Sequence, residues 1–170
     1  MIVAFTGMPG SGKSEAAQMA SELGFEVVRM GDLVEAMSRD EDLPVGEIAD
    51  RERKLYGDGI WAQRTLNLLK DDRTAIDGLR GMGELEVFRK GCRGDFYLIA
   101  VWASTPTRNE RLIRRGRGDL EEIERRDLRE LSWGLGDSIA MADHMMINEG
   151  GLETFREEVL SLLRSQVDDA

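Results

Sequence analysis

The sequence predicts an α/β fold, with one parallel sheet of five strands and helices on both of its faces. Three observations support this prediction. Short apolar segments alternate with segments whose apolar residues recur at helical spacing. A glycine-rich loop joins the first strand to the first helix. The length of 170 residues and the apolar fraction of 41% suit one domain with its own core, so we expect a single domain over 1–170.

Five apolar segments have the composition of strands. The first, Ile2–Thr6, is followed by glycine and is typical of a strand that is buried on both faces of a parallel sheet. The fourth, from Phe96 to Ala103, is strongly apolar, and we expect its Trp102 in the core. The other three are predicted at 26–30, 74–77 and 145–147. The helical segments between them indicate that the strands run parallel.

Helices are predicted from apolar spacing and from capping residues. The first helix runs from Lys13 to Leu23, and Gly24 ends it. We expect Asp32 to cap the second helix, which runs to about Ser38. Further helices are predicted after Pro44, over 60–69, from Thr105-Pro106, after Asp119, and along the apolar face of Leu152, Phe155, Val159, Leu162 and Leu163.

The composition and charge of the chain limit the kinds of molecule that it is expected to bind. The chain carries 33 acidic and 23 basic residues and a formal charge of −10, so it is not expected to bind DNA or an anionic membrane. Its single cysteine, Cys92, excludes an intramolecular disulfide, and no apolar run approaches the roughly 20 residues that cross a bilayer. The first apolar stretch is too short for the core of a signal peptide. We therefore expect a cytoplasmic protein, monomeric or homodimeric.

The glycine-rich loop matches the pattern G-x-x-x-x-G-K-[ST] in full. It consists of Gly7, Met8, Pro9, Gly10, Ser11, Gly12, Lys13 and Ser14. Glycines in such a loop let backbone N–H groups turn toward phosphate oxygens, and the following helix adds the positive end of its dipole. The lysine contacts the terminal phosphates, and the serine hydroxyl is a ligand of Mg²⁺. The loop therefore predicts a site for ATP, with GTP as an alternative, and for Mg²⁺.

Asp77 ends the third apolar segment, at the edge of the sheet where open α/β folds bind their ligands. A carboxylate there can hold the water shell of Mg²⁺, or it can cap the following helix. We favour the metal role because the phosphate-binding loop is expected at the same edge. Gly78 would let an acceptor substrate approach the backbone, and Arg80 follows two residues later.

A basic segment interrupts the acidic chain between Arg108 and Gly118. It holds five arginines and one acid, so its charge is +4 and the rest of the chain carries −14. Arg108, Arg111 and Arg115 fall on one face of the predicted helix. Such a run is usually a solvated face, but phosphoryl transfer needs positive charge around the moving group. We therefore expect the segment to form a lid over the phosphates, with Arg117 at its tip.

Together these motifs resemble the nucleoside-monophosphate-kinase-like branch of the P-loop proteins. More narrowly, the chain resembles an archaeal family of adenylate-kinase-related, dephospho-CoA-kinase-like proteins. The resemblance covers nearly the whole chain and rests on residues 7–14, 30–32, 76–80, 107–117 and 142–150. It implies a three-layer P-loop NTPase fold with a short acceptor-binding insert at about 32–70 and a lid at about 108–129.

The resemblance also implies roles for individual residues. Arg108 would contact the donor, and Arg111 and Arg115 would stabilise the transferred group. Asn148 and Gly150 would lie beside the donor base, although an ordinary turn explains their segment nearly as well.

One position departs from the family pattern. Adenylate kinases carry G-D-x-x-R after the second strand, and the arginine grips the acceptor phosphate; here Gly31-Asp32 leads to Glu35. A carboxylate repels that phosphate, which argues against a standard AMP site and leaves Arg53 and Arg80 as acceptor clamps. A hydroxyl nucleophile gains from a carboxylate that accepts its proton, and Asp32 is the candidate for that role. Asp32 could equally be a helix cap or a residue of the metal shell.

We therefore predict an ATP- and Mg²⁺-dependent phosphotransferase that acts on a small nucleotide-like acceptor. Dephospho-CoA and a nucleoside monophosphate are alternatives for that acceptor, and Trp61 and Trp133 are weak candidates to line its pocket. Two other classes stay open. One is an ATP-dependent switch or slow ATPase that works with a macromolecular partner, and the other, less favoured by the acidic charge, is a kinase acting on RNA.

Overall fold

The computed structural model describes residues 1–70, 73–92 and 96–168, which form a parallel sheet with helices on both faces. The strands are β1 (Ile2–Thr6), β2 (Glu26–Arg29), β3 (Thr74–Leu79), β4 (Phe96–Trp102) and β5 (His144–Ile147). Their order across the sheet is β2-β3-β1-β4-β5, and all neighbouring strands run parallel. The predicted fold class is therefore confirmed.

The helices alternate with the strands along the chain. Among the described residues they are α1 (Lys13–Ala20), α2 (Met30–Glu41), α3 (Val45–Tyr56), α4 (Ile60–Leu66), α5 (Met82–Gly91), α6 (Thr105–Arg114), α7 (Leu120–Ser132), α8 (Leu135–Ala140) and α9 (Leu152–Asp168). A short 3-10 helix, Ser21–Leu23, follows α1. None of these helices has both the length and the apolar character needed to cross a membrane.

Strand β1 lies in the middle of the sheet, between β3 and β4. Its residues Val3, Ala4 and Phe5 are fully buried because helices cover both faces of the sheet. At its carboxyl end the pairing with β3 shifts register, and Thr6 Oγ1 donates to the Leu79 carbonyl oxygen at 2.8 Å. This bond holds the end of β3 next to the loop that leaves β1.

Two apolar clusters attach the helices to the sheet, one on each face. Side chains alternate along β1, so Val3 and Phe5 belong to one cluster and Ala4 to the other. The first cluster includes Ala16, Ala17, Phe155, Val159 and Leu163 from α1 and α9. The second includes Met30, Val34, Trp61, Leu85 and Phe88 from α2, α4 and α5. The two clusters fix α1 and α2 on opposite sides of the edge where the phosphate-binding loop lies.

Local signals predicted where α6 and α7 begin, at Thr105-Pro106 and after Asp119. Ser104 caps α6, with Pro106 in its first turn. Asp119 caps α7 in a capping box, in which the Asp119 carboxylate accepts from the Glu122 N–H and the Glu122 carboxylate accepts from the Asp119 N–H.

Other local predictions were wrong. Helix α2 begins at Met30, so Asp32 lies within its first turn and is not its cap. Trp102 is 43% exposed and does not belong to the core, because it ends β4 beside the edge strand β5. Met145 and Ile147 of β5 are exposed as well. At this edge of the sheet, large apolar side chains are therefore exposed, unlike those of the central strand β1.

Replacing Leu163 tests the cluster between α1 and α9. Leu163 is fully buried, so Leu163→Ala should lower the free energy of unfolding by about 2–5 kcal/mol. The matched control is Leu152→Ala on the same helix, where the leucine is 61% exposed and the loss should stay below about 0.5 kcal/mol. Denaturant titration followed by circular dichroism measures both, and equal losses would contradict this packing.

Candidate functional site

The loop of residues 7–14 turns between β1 and α1 with backbone conformations that few residues other than glycine adopt. Gly7, Gly10 and Gly12 have φ angles of 147°, 81° and 105°. A Cβ at Gly7 would lie 2.3 Å from the Val101 carbonyl oxygen, and one at Gly12 would lie 2.2 Å from Asn148 Nδ2. Both the conformation and the available space therefore require glycine at these positions of the motif.

Arg108 supports this loop from α6. The residue is only 5% exposed, its Nη1 donates to the Pro9 carbonyl oxygen at 2.9 Å, and its Nη2 lies 2.8 Å from Asp127 Oδ2. Its charge is balanced by a carboxylate, and two of its donors bind the protein itself. The structure thus places Arg108 as a support of the phosphate-binding loop, where the sequence predicted a direct contact with the donor.

Arg111 joins the same loop to the segment after β5. Its Nη2 donates to the Asn148 carbonyl oxygen at 3.0 Å, and Nδ2 of Asn148 donates to the Ser11 carbonyl oxygen at 2.8 Å. With the bond from Arg108, the carbonyl oxygens of Pro9 and Ser11 are engaged by donors, and such oxygens would otherwise repel a phosphate. Arg111 and Asn148 therefore help to fix the loop.

A cavity of about 230 Å³ lies between this loop and the segment 148–152. Its lining includes Gly12, Arg111, Asn148 and Gly150. Glu149 anchors the segment to the start of α6, because its carboxylate accepts from the Ser104 N–H and from Thr107 Oγ1. These bonds lower the pKa of Glu149, chiefly the one from the Ser104 backbone. The placement of Asn148 and Gly150 beside a donor base stays a prediction.

A second cavity, of about 210 Å³, opens in front of Lys13 and is lined mainly by cations; we call it the donor cleft. Its basic residues are Lys13, Arg29, Arg80, Arg115, Arg117 and Arg126, and its carboxylates are Glu35 and Asp77. Arg115 is also paired with Glu15 at 2.6 Å. Burial lowers the pKa of Lys13 below its usual value, although the nearby Glu130 carboxylate raises it. The excess of positive charge suits an anionic ligand.

Asp77 lines the donor cleft from β3, where it pairs in register with Arg29, the last residue of β2. The residue is buried, and its Oδ2 lies 3.6 Å from Arg29 Nε. Its Oδ1 is buried without a hydrogen-bond partner among the described residues. Ser14 lines the same cleft. Two oxygen ligands of this kind fit Mg²⁺, which keeps waters and phosphate oxygens as its remaining ligands. Among the residues that the structure describes, no group of three or more metal-binding side chains offers a different metal site.

The turn between α6 and α7 contains two glycines with positive φ, Gly116 at 64° and Gly118 at 117°. Arg117 lies between them and lines the donor cleft, and its role at the tip of a lid stays a prediction.

Glu130 is a buried carboxylate that sequence analysis missed. It is 2% exposed, its Oε1 accepts from Arg126 Nε at 3.0 Å, and its Oε2 lies 3.5 Å from Arg80 Nε. Burial alone would raise the pKa of Glu130, but Arg80, Lys13 and Arg126 together lower it below the usual value. The i,i+4 spacing of Arg126 and Glu130 was a detectable signal, but it is common on exposed helix faces. Only the fold brings Lys13 and Arg80 to this pair.

A third cavity, of about 290 Å³, continues from the donor cleft toward α3 and α7; we call it the acceptor cavity. Its lining includes Val45, Ala49, Arg53, Arg129 and Trp133. It shares Gly31, Glu35, Arg80, Arg117 and Arg126 with the donor cleft. The two cavities therefore meet, and three arginines lie where they meet.

Two predicted acceptor residues are placed differently from expectation. Arg53 lines the acceptor cavity, but it is buried against Glu84 at 2.7 Å and stacks on Trp133, with its guanidinium 4.3 Å from the ring centroid. Its charge is thus already balanced. Asp32 has a side chain that is 59% exposed, pairs with Arg29 at 3.1 Å and lines neither cavity.

The two tryptophans that were weak candidates for the acceptor pocket are placed differently from each other. Trp61 is buried in the core and does not line the acceptor cavity, whereas Trp133 does.

Comparison with known sequences shows the family to which the chain belongs. Residues 6–129 match the family described as the AAA domain. The UPF0200 protein of Thermoplasma acidophilum is 42% identical over 172 aligned positions, gaps included, and the alignment covers 95% of this chain and 94% of the relative. The UPF0200 protein of Methanosarcina mazei is 38% identical over 179 such positions, and the alignment covers 98% of this chain and 96% of the relative.

Comparison with solved structures gives the fold. A gluconokinase from Sinorhizobium meliloti superposes with a TM-score of 0.67 at 16% identity, covering 98% of this chain and 93% of that one. Shikimate kinase from Acinetobacter baumannii in complex with shikimate superposes with a TM-score of 0.65 at 15% identity, and the match covers 99% of this chain and 93% of that one. At this identity the likeness concerns the fold alone. It confirms the predicted P-loop kinase-like fold.

The charge of Glu130 should stabilise the cations that surround it, and Glu130→Gln removes that charge with little change in shape. We expect the free energy of unfolding to fall by about 3–5 kcal/mol at pH 7, because Lys13, Arg80 and Arg126 lose a shared buried carboxylate. Glu124→Gln, at an exposed position of the same helix, should cost less than about 0.5 kcal/mol.

The difference between wild type and Glu130→Gln should depend on pH. The folded-state pKa of Glu130 is lowered, so its stabilisation is complete above the unfolded value of about 4.3 and is lost as the pH falls through the folded value. Urea titrations of both proteins from neutral to acid pH measure this. A difference that stays constant or grows toward acid pH would contradict the role given to Glu130.

Proposed function

We propose that the chain, which belongs to the UPF0200 family and has a P-loop kinase-like fold, is an ATP- and Mg²⁺-dependent phosphotransferase acting on a small nucleotide-like acceptor. One observation carries this proposal. The donor cleft, which begins at the phosphate-binding loop, and the acceptor cavity meet at Arg80, Arg117 and Arg126. A phosphoryl group that moved from one cavity to the other would pass these guanidinium groups.

The donor end supplies the groups that hold a triphosphate. Lys13 is buried beside the cleft, where low water access strengthens its attraction for phosphate oxygens. Ser14 and Asp77 are the residues that would hold Mg²⁺, directly or through its water shell. When bound, Mg²⁺ would neutralise part of the negative charge of the phosphates. The cavity beside Asn148 and Gly150 is the place we assign to the base, with ATP preferred and GTP as the alternative.

Arginines at the meeting point of the cavities would stabilise the transferred group. Glu130 lies near Arg80 and is paired with Arg126, so the guanidinium groups of both arginines are positioned before any ligand arrives. Positioned charge of this kind lowers a barrier because little reorganisation is needed during the reaction. Arg115 also lines the donor cleft, whereas Arg108 and Arg111 act by fixing the phosphate-binding loop.

The acceptor cavity suits a molecule with both a flat apolar part and a negative charge. Trp133 offers an aromatic surface, and Val45 and Ala49 add apolar contacts. Arg129 and Arg117 bring positive charge to the same cavity. Dephospho-CoA and nucleoside monophosphates both combine a base with phosphate groups, which is why we propose a nucleotide-like acceptor.

A second candidate function is favoured by the surface at the edge of the sheet. Trp102, Met145 and Ile147 are large apolar side chains that are exposed around β5. A nucleotide-dependent switch or slow ATPase that binds a macromolecular partner would use such a surface. This function would be favoured if the protein captured a macromolecular partner only in the presence of ATP and transferred no phosphoryl group to any small acceptor.

Replacing Lys13 tests the donor end. Lys13→Met removes the cation nearest the expected terminal phosphates, so phosphoryl transfer from radiolabelled ATP should fall by about 10²- to 10³-fold. Lys54→Met, at an exposed position of α3, is the control and should leave the rate unchanged. If the wild type binds ATP and transfers nothing to dephospho-CoA, AMP or CMP, the phosphotransferase proposal fails.

Replacing Asp77 tests the metal role. Asp77→Asn keeps the shape of the side chain but weakens its hold on the metal or its waters. The Mg²⁺ concentration for half-maximal transfer should rise about 10- to 100-fold. The affinity for ATP measured by calorimetry in EDTA should stay close to that of the wild type. An unchanged requirement for Mg²⁺ would remove Asp77 from the metal site and leave it a structural carboxylate.

A further inference from the structure

Glu35 is a carboxylate in the lining that the donor cleft and the acceptor cavity share. Of the residues shared by the donor cleft and the acceptor cavity, three are arginines, one is Gly31, and Glu35 is the carboxylate. It lies on α2 at an exposed position and lines both cavities. A nucleophile that approaches the terminal phosphate of the donor from the acceptor cavity must therefore pass close to this carboxylate.

The charge of Glu35 is less compensated than that of the other carboxylates nearby. Glu130 is paired with Arg126 and lies near Arg80, and Asp77 lies near Arg29. Within residues 1–70, 73–92 and 96–168, by contrast, no ion pair is formed by Glu35. Its oxygens can therefore accept hydrogen bonds from a ligand.

A carboxylate at this place distinguishes between two kinds of nucleophile. A phosphate nucleophile is already negative, so the Glu35 carboxylate would repel it. A hydroxyl nucleophile carries a proton, which it can donate to a carboxylate oxygen and lose to it during the reaction. The acceptor cavity also holds charges of the other sign. Arg117 lines the part that it shares with the donor cleft, Arg129 lines the part that it does not share, and neither is paired with a carboxylate among the described residues.

We infer that Glu35 selects the nucleophile: the acceptor is a small anion whose hydroxyl group is phosphorylated, with its anionic group held by Arg117 and Arg129. This inference rests on the proposed phosphotransferase function and names the substrate class of that site. The hydroxyl oxygen forms a bond to the γ-phosphorus of ATP, the bond from that phosphorus to the β,γ-bridging oxygen breaks, and ADP leaves. The hydroxyl proton passes to a Glu35 oxygen. Glu35 therefore takes the role that the sequence assigned to Asp32.

The first test compares two classes of acceptor with γ-labelled ATP and Mg²⁺. Dephospho-CoA offers a hydroxyl nucleophile, whereas AMP and CMP offer a phosphate nucleophile. The wild type should label a hydroxyl acceptor and form a phosphate ester that survives hot dilute acid, and it should not convert AMP or CMP into acid-labile diphosphates. Glu35→Gln should lower transfer to the hydroxyl by about 10²- to 10⁴-fold. Asp40→Asn, at an exposed position of the same helix, is the control and should keep the wild-type rate.

The second test measures binding and does not depend on the identity of the acceptor. AMP is titrated into protein loaded with Mg²⁺ and a non-hydrolysable ATP analogue, and calorimetry follows its affinity. Glu35→Gln should bind AMP at least about tenfold more tightly than the wild type, and Glu35→Arg more tightly still, because a repulsive charge is removed or reversed. Unchanged affinity in both variants would overturn the inference.

The outcomes separate the two claims. Rapid conversion of AMP into ADP by the wild type would overturn the role of Glu35 and leave the phosphotransferase function standing. So would a wild-type rate in Glu35→Gln together with a large loss in Asp32→Asn, which would return the role to Asp32. Absence of transfer to every acceptor, with AMP affinity that responds to Glu35 as expected, would instead overturn the phosphotransferase function.

Discussion

The buried carboxylate of Glu130 is the interaction on which the candidate site depends. Lys13, Arg80 and Arg126 come from three separate parts of the chain and line one small cleft, where their charges repel one another. Glu130 lies among them, is almost fully buried, and remains ionised because those cations lower its pKa. A carboxylate in this place keeps the cations together before an anion binds. It also connects α7 to Arg80, the residue that follows β3.

A second set of contacts ties the phosphate-binding loop to the lid and to the end of β5. Arg108, Arg111 and Asn148 hold the carbonyl oxygens of Pro9 and Ser11. The loop conformation therefore depends on α6 and on the segment after β5, which lie about a hundred residues or more away along the chain. Because Arg108 and Arg111 lie on α6, movement of this helix would act directly on the loop.

The parts of the structure that the sequence predicted are those with local signals. The loop motif needs glycines for its own backbone, Asp119 caps the helix that begins beside it, and alternating apolar segments are enough to define the parallel sheet. Predictions that depend on distant partners were less successful. Arg53 has the charge of an acceptor clamp, but Glu84, 31 residues away, pairs with it. The pattern G-D-x-x-R marks the position of Glu35, which lines the cleft, but no local pattern shows that Asp32, three residues earlier, lies outside it.

The central claim is that the donor phosphates and the acceptor meet at Arg80, Arg117 and Arg126. A crystal structure with Mg²⁺ and a non-hydrolysable ATP analogue tests this most directly. The γ-phosphate should contact Lys13 and face the three arginines, with its open side toward the acceptor cavity. A γ-phosphate that points away from these arginines, or that is separated from the acceptor cavity by protein, would contradict the account.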